Sequence, residues 1–262
     1  MKTVLTIAGS DCSGGAGIQA DLKTIAAHGL YGESAVTALT AQNTLGVAEV
    51  VPVSPDFLEK QLECIFTDIV PDAVKIGMVT GIGQMEAIKH CLLRYHAKNI
   101  VMDTVMVSTS GKNLMEPEAL EYYKEELLPL AGLYTPNLPE AEALLKTTIK
   151  TREERVAAVR EFALQYKGIV FLKGGHGQGC ADDLLFYKGE PIWVPGKRIE
   201  SRNTHGTGCT LSSAIACGLA LGFGVEKSVR DAKAYVSGAI AAGMDLGKGN
   251  GPLNHMYKYT NL

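Results

Sequence analysis

Short apolar runs rich in β-branched residues alternate along the chain with longer segments of helical period. The runs at Val4–Ala8, Ser34–Thr40, Ala73–Gly77, Asn99–Asp103, Leu133–Thr135 and Ile169–Lys173 have the length and composition of buried strands. The amphipathic segments predict helices over Ala16–His28, Pro55–Asp68, Ile82–His96, Pro117–Leu130, Leu138–Leu145, Arg152–Tyr166, Thr207–Leu221 and Val225–Leu246. Near the end of this series, Asp182–Tyr187 and Ile192–Val194 flank the turn Lys188-Gly189-Glu190 and predict an edge β-hairpin. Strand and helix alternating in this way predict an α/β fold. Its form is a three-layer αβα sandwich, with a central mostly parallel sheet and helices on both faces.

Open α/β sheets bind their ligands beyond the carboxyl ends of the strands, so the loops after the strands are where chemistry is expected. After the first strand comes Gly9-Ser10-Asp11-Cys12-Ser13-Gly14-Gly15-Ala16-Gly17, followed in the helix by Gln19, Ala20 and Asp21. The second strand leads to Gln42-Asn43-Thr44, the third to Gly77-Met78 and the fourth to Asp103-Thr104-Val105-Met106. The fifth runs into Thr135-Pro136-Asn137-Leu138-Pro139-Glu140-Ala141-Glu142, and the sixth into Lys173-Gly174-Gly175-His176.

The segment Thr204-His205-Gly206-Thr207-Gly208-Cys209-Thr210 is a Gly/Thr-rich turn entering a small-residue helix. A helix start leaves backbone N–H groups unpaired at the positive end of the dipole, and glycine lets an anion approach them. Cys209 lies in the same field, which favours thiolate over thiol and predicts a base or nucleophile beside the anion. The same residues also suit a buried helix whose Gly and Ser only permit tight packing. Lys173, which closes an apolar strand, predicts a cation for phosphate oxygens, and His176 a loop residue near them.

Asp103, Asn137, Glu140 and Glu142 are hard-oxygen groups of the kind that holds a hydrated Mg²⁺ shared with nucleotide phosphates. Taken singly, each carboxylate suits helix capping or first-turn dipole stabilisation better than a metal, and Glu140 and Glu142 sit where that role predicts them; only the coincidence of Asp103 and Asn137 at neighbouring strand ends raises the metal reading. Met78, Val105 and Met106 are core residues by default, and become an apolar wall for a flat ring if the strand ends open on a pocket.

Composition removes several classes. With 25 Lys+Arg against 28 Asp+Glu, the formal charge of −3 provides no basic footprint for nucleic acid. At 262 residues and 46% hydrophobic, without a linker, repeat or low-complexity stretch, residues 1–262 are expected to form one domain. The N-terminal apolar run is too short for a signal peptide, and Ala214–Val225, interrupted by Gly218, Gly222 and Gly224, is too short to span a bilayer. A cytoplasmic protein is expected. Cys12, Cys64, Cys91, Cys180, Cys209 and Cys217 lack CxxC spacing, against both a zinc knuckle and a disulfide framework. The first turn carries neither GxxxxGK[ST] nor GxGxxG, and no GxSxG elbow is present, which disfavours a P-loop enzyme, a Rossmann oxidoreductase and a hydrolase triad.

Several of these segments coincide with motifs of a known family: Leu5-Thr6-Ile7-Ala8-Gly9-Ser10-Asp11, Gly14-Gly15-Ala16-Gly17-Ile18-Gln19-Ala20-Asp21, Thr37–Thr44, Lys75-Ile76-Gly77-Met78, Asp103–Met106, Thr135–Ala141 and His205–Thr210. Along nearly its whole length the chain resembles the ribokinase-like small-molecule kinases, and among them the hydroxymethylpyrimidine/phosphomethylpyrimidine kinases of thiamine biosynthesis. The resemblance implies a ribokinase-like fold. It also implies transfer from ATP, with Mg²⁺, to 4-amino-5-hydroxymethyl-2-methylpyrimidine and then to its monophosphate.

By residue match, Gly206, Thr207, Gly208 and Cys209 form the anion hole, Cys209 standing where the wider family has an aspartate base. Gly9, Ala16, Asp21, Gln42, Met78 and Val105 match the pyrimidine side, Lys173 and Thr207 the ATP side, and Asn137 and Glu140 the metal-linked NxxE element, beside Asp103. Other members carry glutamate at position 42; the amide of Gln42 can still donate and accept. The resemblance further implies a homodimer acting on small molecules. Alternatives are a kinase of pyridoxal, pyridoxine or pyridoxamine, and a non-catalytic pyrimidine-binding relative.

Overall fold

A computed structural model describes residues 1–106, 115, 118–175 and 181–259. His176, Cys180 and the start of the helix expected from Pro117 lie outside them. The chain runs β1 (Thr3–Asp11), α1 (Gly17–Ala27), β2 (Tyr31–Asn43), β3 (Gly46–Pro52), α2 (Pro55–Phe66), β4 (Ala73–Ile76), α3 (Ile82–Arg94) and β5 (Ile100–Met102). It continues with α4 (Ala119–Tyr122), which passes through a π turn (Tyr123–Leu127) and a 3₁₀ turn (Leu128–Leu130) into β6 (Leu133–Tyr134). Then come α5 (Leu138–Leu145), α6 (Arg152–Tyr166), β7 (Ile169–Leu172), β8 (Asp183–Tyr187), β9 (Glu190–Val194), α7 (Thr207–Ala220) and α8 (Val225–Ala241).

The strands form one sheet in the order β3-β2-β1-β4-β5-β6-β7-β8-β9. The six from β2 to β7 in that order pair in parallel, while β3 joins β2, β8 joins β7 and β9 joins β8 by antiparallel pairing. Successive residues of a strand face opposite sides, and the core divides accordingly. Leu5, Ile7, Val74, Ile76 and Met102 pack with α2, α3, α5 and α6, whereas Val4, Ala73, Val101 and Phe171 pack with α1, α7 and α8. Both faces are therefore covered, as the αβα reading requires. No helix among the described residues is long and apolar enough to cross a membrane.

The two sheet edges differ from expectation. The hairpin β8–β9 is present, turning at Lys188 and Gly189, both at positive φ. A second hairpin, β2–β3, closes the other edge, where only a loop after Thr40 was expected. Residues of β3 are half-buried or exposed throughout, so they lack the alternation that marks a strand packed on one face. β1 extends past Ala8 to Asp11 through a bulge between Ala8 and Ser10, and α8 stops at Ala241 rather than Leu246.

Candidate active site

A cleft of about 790 Å³ opens beyond the carboxyl ends of the parallel strands. Its walls include Gly9, Ala16, Gln42, Met78, Val105 and Met106 on one side, and Asp103, Asn137, Glu140, Lys173, Gly206, Thr207, Gly208 and Cys209 on the other. One expected contact is not there. Asp21 is 0% exposed, on the inner face of α1, where its carboxylate accepts bonds from Thr6 Oγ1 (2.6 Å), Ser213 Oγ (2.8 Å) and Lys75 Nζ (2.9 Å). A group with both oxygens so engaged beneath the cleft supports the site and does not touch its contents.

One wall of the cleft is the start of α7. Gly206 caps this helix at φ 83°, a conformation that favours glycine, and a Cβ there would come within 1.9 Å of Gly15 O. The N–H of Thr207 is taken by Thr204 O (3.3 Å) and that of Thr210 by Gly206 O (2.9 Å). Among the described residues the N–H groups of Gly208 and Cys209 have no acceptor, so two donors at the positive end of a helix face the cleft. Ten of the fourteen residues of α7 are buried, and its Gly, Ala and Ser side chains let it lie close to the sheet. Close packing and a pair of unpaired donors thus coexist in one segment.

Asp11, at the end of β1, ties the first glycine-rich loop to this turn. Its Oδ1 accepts from Ser13 N (2.8 Å) and Ser13 Oγ (2.7 Å), and its Oδ2 from Ala16 N (2.8 Å) and Gly15 N (3.1 Å). His205 Nε2 lies 2.8 Å from the same Oδ2. The sequence offered only motif membership for Asp11 and a loop position for His205; their pairing across 194 residues is a product of the fold.

A second closure joins Thr44, in the β2–β3 turn, to the segment after α8. Thr44 Oγ1 accepts from Lys248 N and Gly249 N (3.1 Å each), and Thr44 O from Asn250 N (3.0 Å). Immediately beyond, Gly251 N donates to Arg202 O (2.9 Å) and Gly251 O accepts from His205 N (3.0 Å).

Lys173 stands between two carboxylates, 3.0 Å from Asp103 Oδ1 and 3.9 Å from Glu140 Oε2. Asp103 also accepts from Thr135 Oγ1 (3.2 Å) and Ser212 Oγ (3.4 Å). Burial acts to raise its carboxyl pKa, but the Lys173 and Lys75 ammoniums outweigh that and hold it below the usual range. For Glu140 burial wins over Lys173, with Asp103 adding to it, and the carboxyl pKa is pushed up.

Asn137 and Glu140 form a reciprocal capping box on α5, Asn137 Oδ1 accepting from Glu140 N (2.8 Å) and Glu140 Oε2 from Asn137 N (2.9 Å). Thr104 Oγ1 donates to that same Oε2 (2.9 Å). A Cβ on Gly208 would lie 3.4 Å from both Asp103 Oδ2 and Lys173 Nζ, so this cluster borders the anion site directly. Glu142 has a different task, accepting from Ile149 N (2.7 Å) at the far end of α5.

Cys209 is half-buried and lines the cleft, but its protonation state departs from the expectation drawn from its helix position. Burial pushes the thiol up to about 11; Lys75 and the Gly17 N–H favour the thiolate, while Asp21 and Asp103 oppose it. At neutral pH the residue is a thiol. The charges behind the helix were invisible to a local reading, and Lys75 above all was missed. Its signal was a lysine inside the apolar strand Ala73-Val74-Lys75-Ile76, where solvation is impossible and a buried partner is required.

An amide-lined anion site facing an apolar slot across one cleft is the layout of a kinase for small ring-bearing molecules, here on a ribokinase-like αβα scaffold. Residues 11–254 match the family model described as phosphomethylpyrimidine kinase. A hydroxymethylpyrimidine/phosphomethylpyrimidine kinase of Rhizobium meliloti is 47% identical over 260 residues, covering 97% of each chain. Among solved structures, a phosphomethylpyrimidine kinase of Clostridium difficile superimposes with TM-score 0.81 at 43% identity, covering 92% of this chain and 100% of its own. A Bacillus subtilis pyridoxal kinase, solved as an ADP complex, gives TM-score 0.91 at 35% identity over 100% of both chains. The chain belongs to the phosphomethylpyrimidine kinase family and is an ATP-dependent kinase.

Proposed function

We propose that this protein, acting as one kinase domain, phosphorylates the hydroxymethyl group of 4-amino-5-hydroxymethyl-2-methylpyrimidine and then the resulting monophosphate, in thiamine biosynthesis. The observation that carries the reading is the position of Cys209, in one cleft with the free amides of α7, the Lys173 cluster and the apolar slot of Met78 and Val105. The ring lies between Met78, Val105, Ala16 and Gly9, with the Gln42 amide donating and accepting at its polar edge. The γ-phosphoryl group sits on the N–H groups of Gly208 and Cys209, with Thr207 and Lys173 on the ATP side.

In the first transfer the alcohol oxygen attacks γ-phosphorus and the bond to the ADP oxygen breaks, while the alcohol proton passes to the thiolate form of Cys209, reached when the thiol releases its own proton to solvent. In the second the attacking phosphate oxygen has no proton to give up. A neutral thiol adds no repulsion there, whereas a fixed carboxylate would, and the high thiol pKa supports this division of labour.

The donor chemistry suits a hydrated Mg²⁺. Asp103 and Glu140 are hard-oxygen groups beside the anion site, and Asn137, whose side-chain oxygen caps α5, fits a role in holding Glu140 in place. Asp103 and Glu140 would hold such an ion, which would supply charge neutralisation on the ATP phosphates, and Lys173 would orient that end of the nucleotide.

A coupled assay comparing the pyrimidine alcohol, its monophosphate and pyridoxal tests the reading. Turnover of the first two above pyridoxal is expected, and turnover of pyridoxal alone would reverse it in favour of the activity borne by the Bacillus neighbour. We also infer a homodimer formed through the β2–β3 hairpin, whose Leu39, Leu45 and Val51 are 56%, 66% and 52% exposed beside an open strand edge.

A further inference from the structure

Val74 and Ile76 pack with the α2 and α3 layer, so Lys75 between them projects into the opposite layer, toward α1 and α7. Its side chain is 0% exposed, as is that of its ion-pair partner Asp21. Burying two charges is costly even when they are paired, and apolar residues of similar volume fill such a place as well or better. Packing alone does not account for the pair.

The direction of the lysine does. A Cβ on Gly77 would lie 2.7 Å from Lys75 Nζ, which puts the ammonium at the carboxyl end of β4, toward the cleft. Asp21 holds it there, itself anchored to β1 by Thr6 and to α7 by Ser213. Ser213 follows Cys209 by one helical turn, so the two share a face of α7, and Cys209 occupies the turn nearer the cleft. The charged groups acting on Cys209 are Lys75 from β4, Asp21 from α1, Asp103 after β5 and Lys173 after β7. Lys75 has the largest effect favouring the thiolate.

We propose that Lys75 is a positioning residue for the first phosphoryl transfer: its ammonium, fixed by Asp21 beneath the start of α7, is the counter-charge that stabilises the thiolate form through which Cys209 accepts the alcohol proton. This rests on the assignment of Cys209 as base. As the bond from the alcohol oxygen to γ-phosphorus forms and the bond from γ-phosphorus to the ADP oxygen breaks, the alcohol proton moves to Sγ; Lys75 keeps its own proton throughout. Transfer to the monophosphate moves no such proton and draws on Lys75 far less.

Two variants test this, Lys75→Met/Asp21→Asn, which removes both charges, and the isosteric Asp21→Asn, which leaves the ammonium alone. Two quantities are measured: the pH midpoint of Cys209 alkylation by iodoacetamide, followed on the Cys209 peptide, and kcat/KM for both acceptors. In the double variant the midpoint should rise by about one pH unit, and alcohol phosphorylation should fall about tenfold more than phosphorylation of the monophosphate. In Asp21→Asn the midpoint should instead fall by about one unit.

An unmoved midpoint in the double variant, or equal losses for the two acceptors there, overturns the proposal; if that variant does not fold, Lys75→Gln/Asp21→Asn, which also removes both charges but keeps polar side chains, decides by the same two readings. Cys209→Ala separates the two levels. Alcohol phosphorylation surviving in that variant removes the base assignment itself, whereas its loss there beside an unmoved midpoint removes Lys75 alone.

Discussion

His205 Nε2 lies 2.8 Å from Asp11 Oδ2, so the glycine-rich loop after β1 and the turn that enters α7 are fastened at a common point. Burial would raise the Asp11 carboxyl pKa, but the bonds from His205, Ser13 and Ala16 outweigh it and hold it well below the usual carboxylate range. Such a group contributes stability that is present above its unfolded value of 3.8 and is lost as pH falls below that value toward the lower folded one. Asp11→Asn should cost about 2 kcal/mol at neutral pH and flatten the acid side of the stability curve. Denaturant unfolding from pH 7 down to pH 3 checks both; a variant as stable as the parent and equally acid-sensitive would contradict the role.

Cys209 gives the sharpest kinetic test. Cys209→Ala should keep ATP binding, since the backbone donors remain, and lose alcohol phosphorylation by about a hundredfold or more. Cys209→Asp supplies a base but fixes a negative charge beside the acceptor. At about 4 Å and an effective dielectric near 20, one like charge costs up to roughly 4 kcal/mol before screening, so the variant should favour the alcohol over the monophosphate. The ratio of kcat/KM values reads this, and an unchanged ratio means that the cysteine is there for shape.

Because the thiol stands at about 11, its thiolate fraction grows as pH rises through the neutral range. The parent's alcohol kcat/KM should therefore climb between pH 6 and pH 9 while that of the monophosphate stays flatter. Parallel profiles would contradict the proton-transfer step.

Glu140→Gln should raise the Mg²⁺ concentration needed for half activity while leaving binding of the free pyrimidine intact. The glutamine carbonyl can still accept from Asn137 N and Thr104, so α5 keeps its cap and the change is one of charge. A magnesium titration superimposable on the parent's would exclude the assignment.

Glu33 lies near the start of β2, opposite Leu5, with Oε2 buried and without a partner among the described residues. Burial, with Asp68 adding to it, pushes the carboxyl up to about 7 from an ordinary 4.5. With the folded value above the unfolded one, stability falls as pH rises from 4.5 to about 7, and at pH 8 the fold carries a buried unpaired charge. Glu33→Gln should be more stable than the parent by about 1 kcal/mol at pH 8 and show no gain at pH 4, with kinase activity unchanged. Unfolding at the two pH values decides it.

What the sequence disclosed and what it hid divide along physical lines. The buried parallel strands were legible because covered on both faces they read as apolar runs, and the long helices because their period is 3.6. β3 was not, since an exposed edge strand selects for neither pattern. Cleft residues such as Met78, Val105 and Lys173 fell where strand ends put them. Asp21 was misplaced because a motif gives a residue's type and not the direction of its side chain, which here points under the floor of the cleft. The proton affinity of Cys209 depends on β4, α1 and the segment after β5 together, and no local window contains all three.

The segment 248–251 bonds on one side to Thr44 of the hairpin and on the other to Arg202 and His205 of the turn entering α7. Every strand of the sheet precedes it in the chain. During synthesis, which proceeds from the N-terminus, the nascent protein has all its strands before the clasp across the active site exists. Assembly of the scaffold and closure of the cleft are thus separate events in time, and the partly made chain lacks the segment that ties the β2–β3 turn to the turn entering α7.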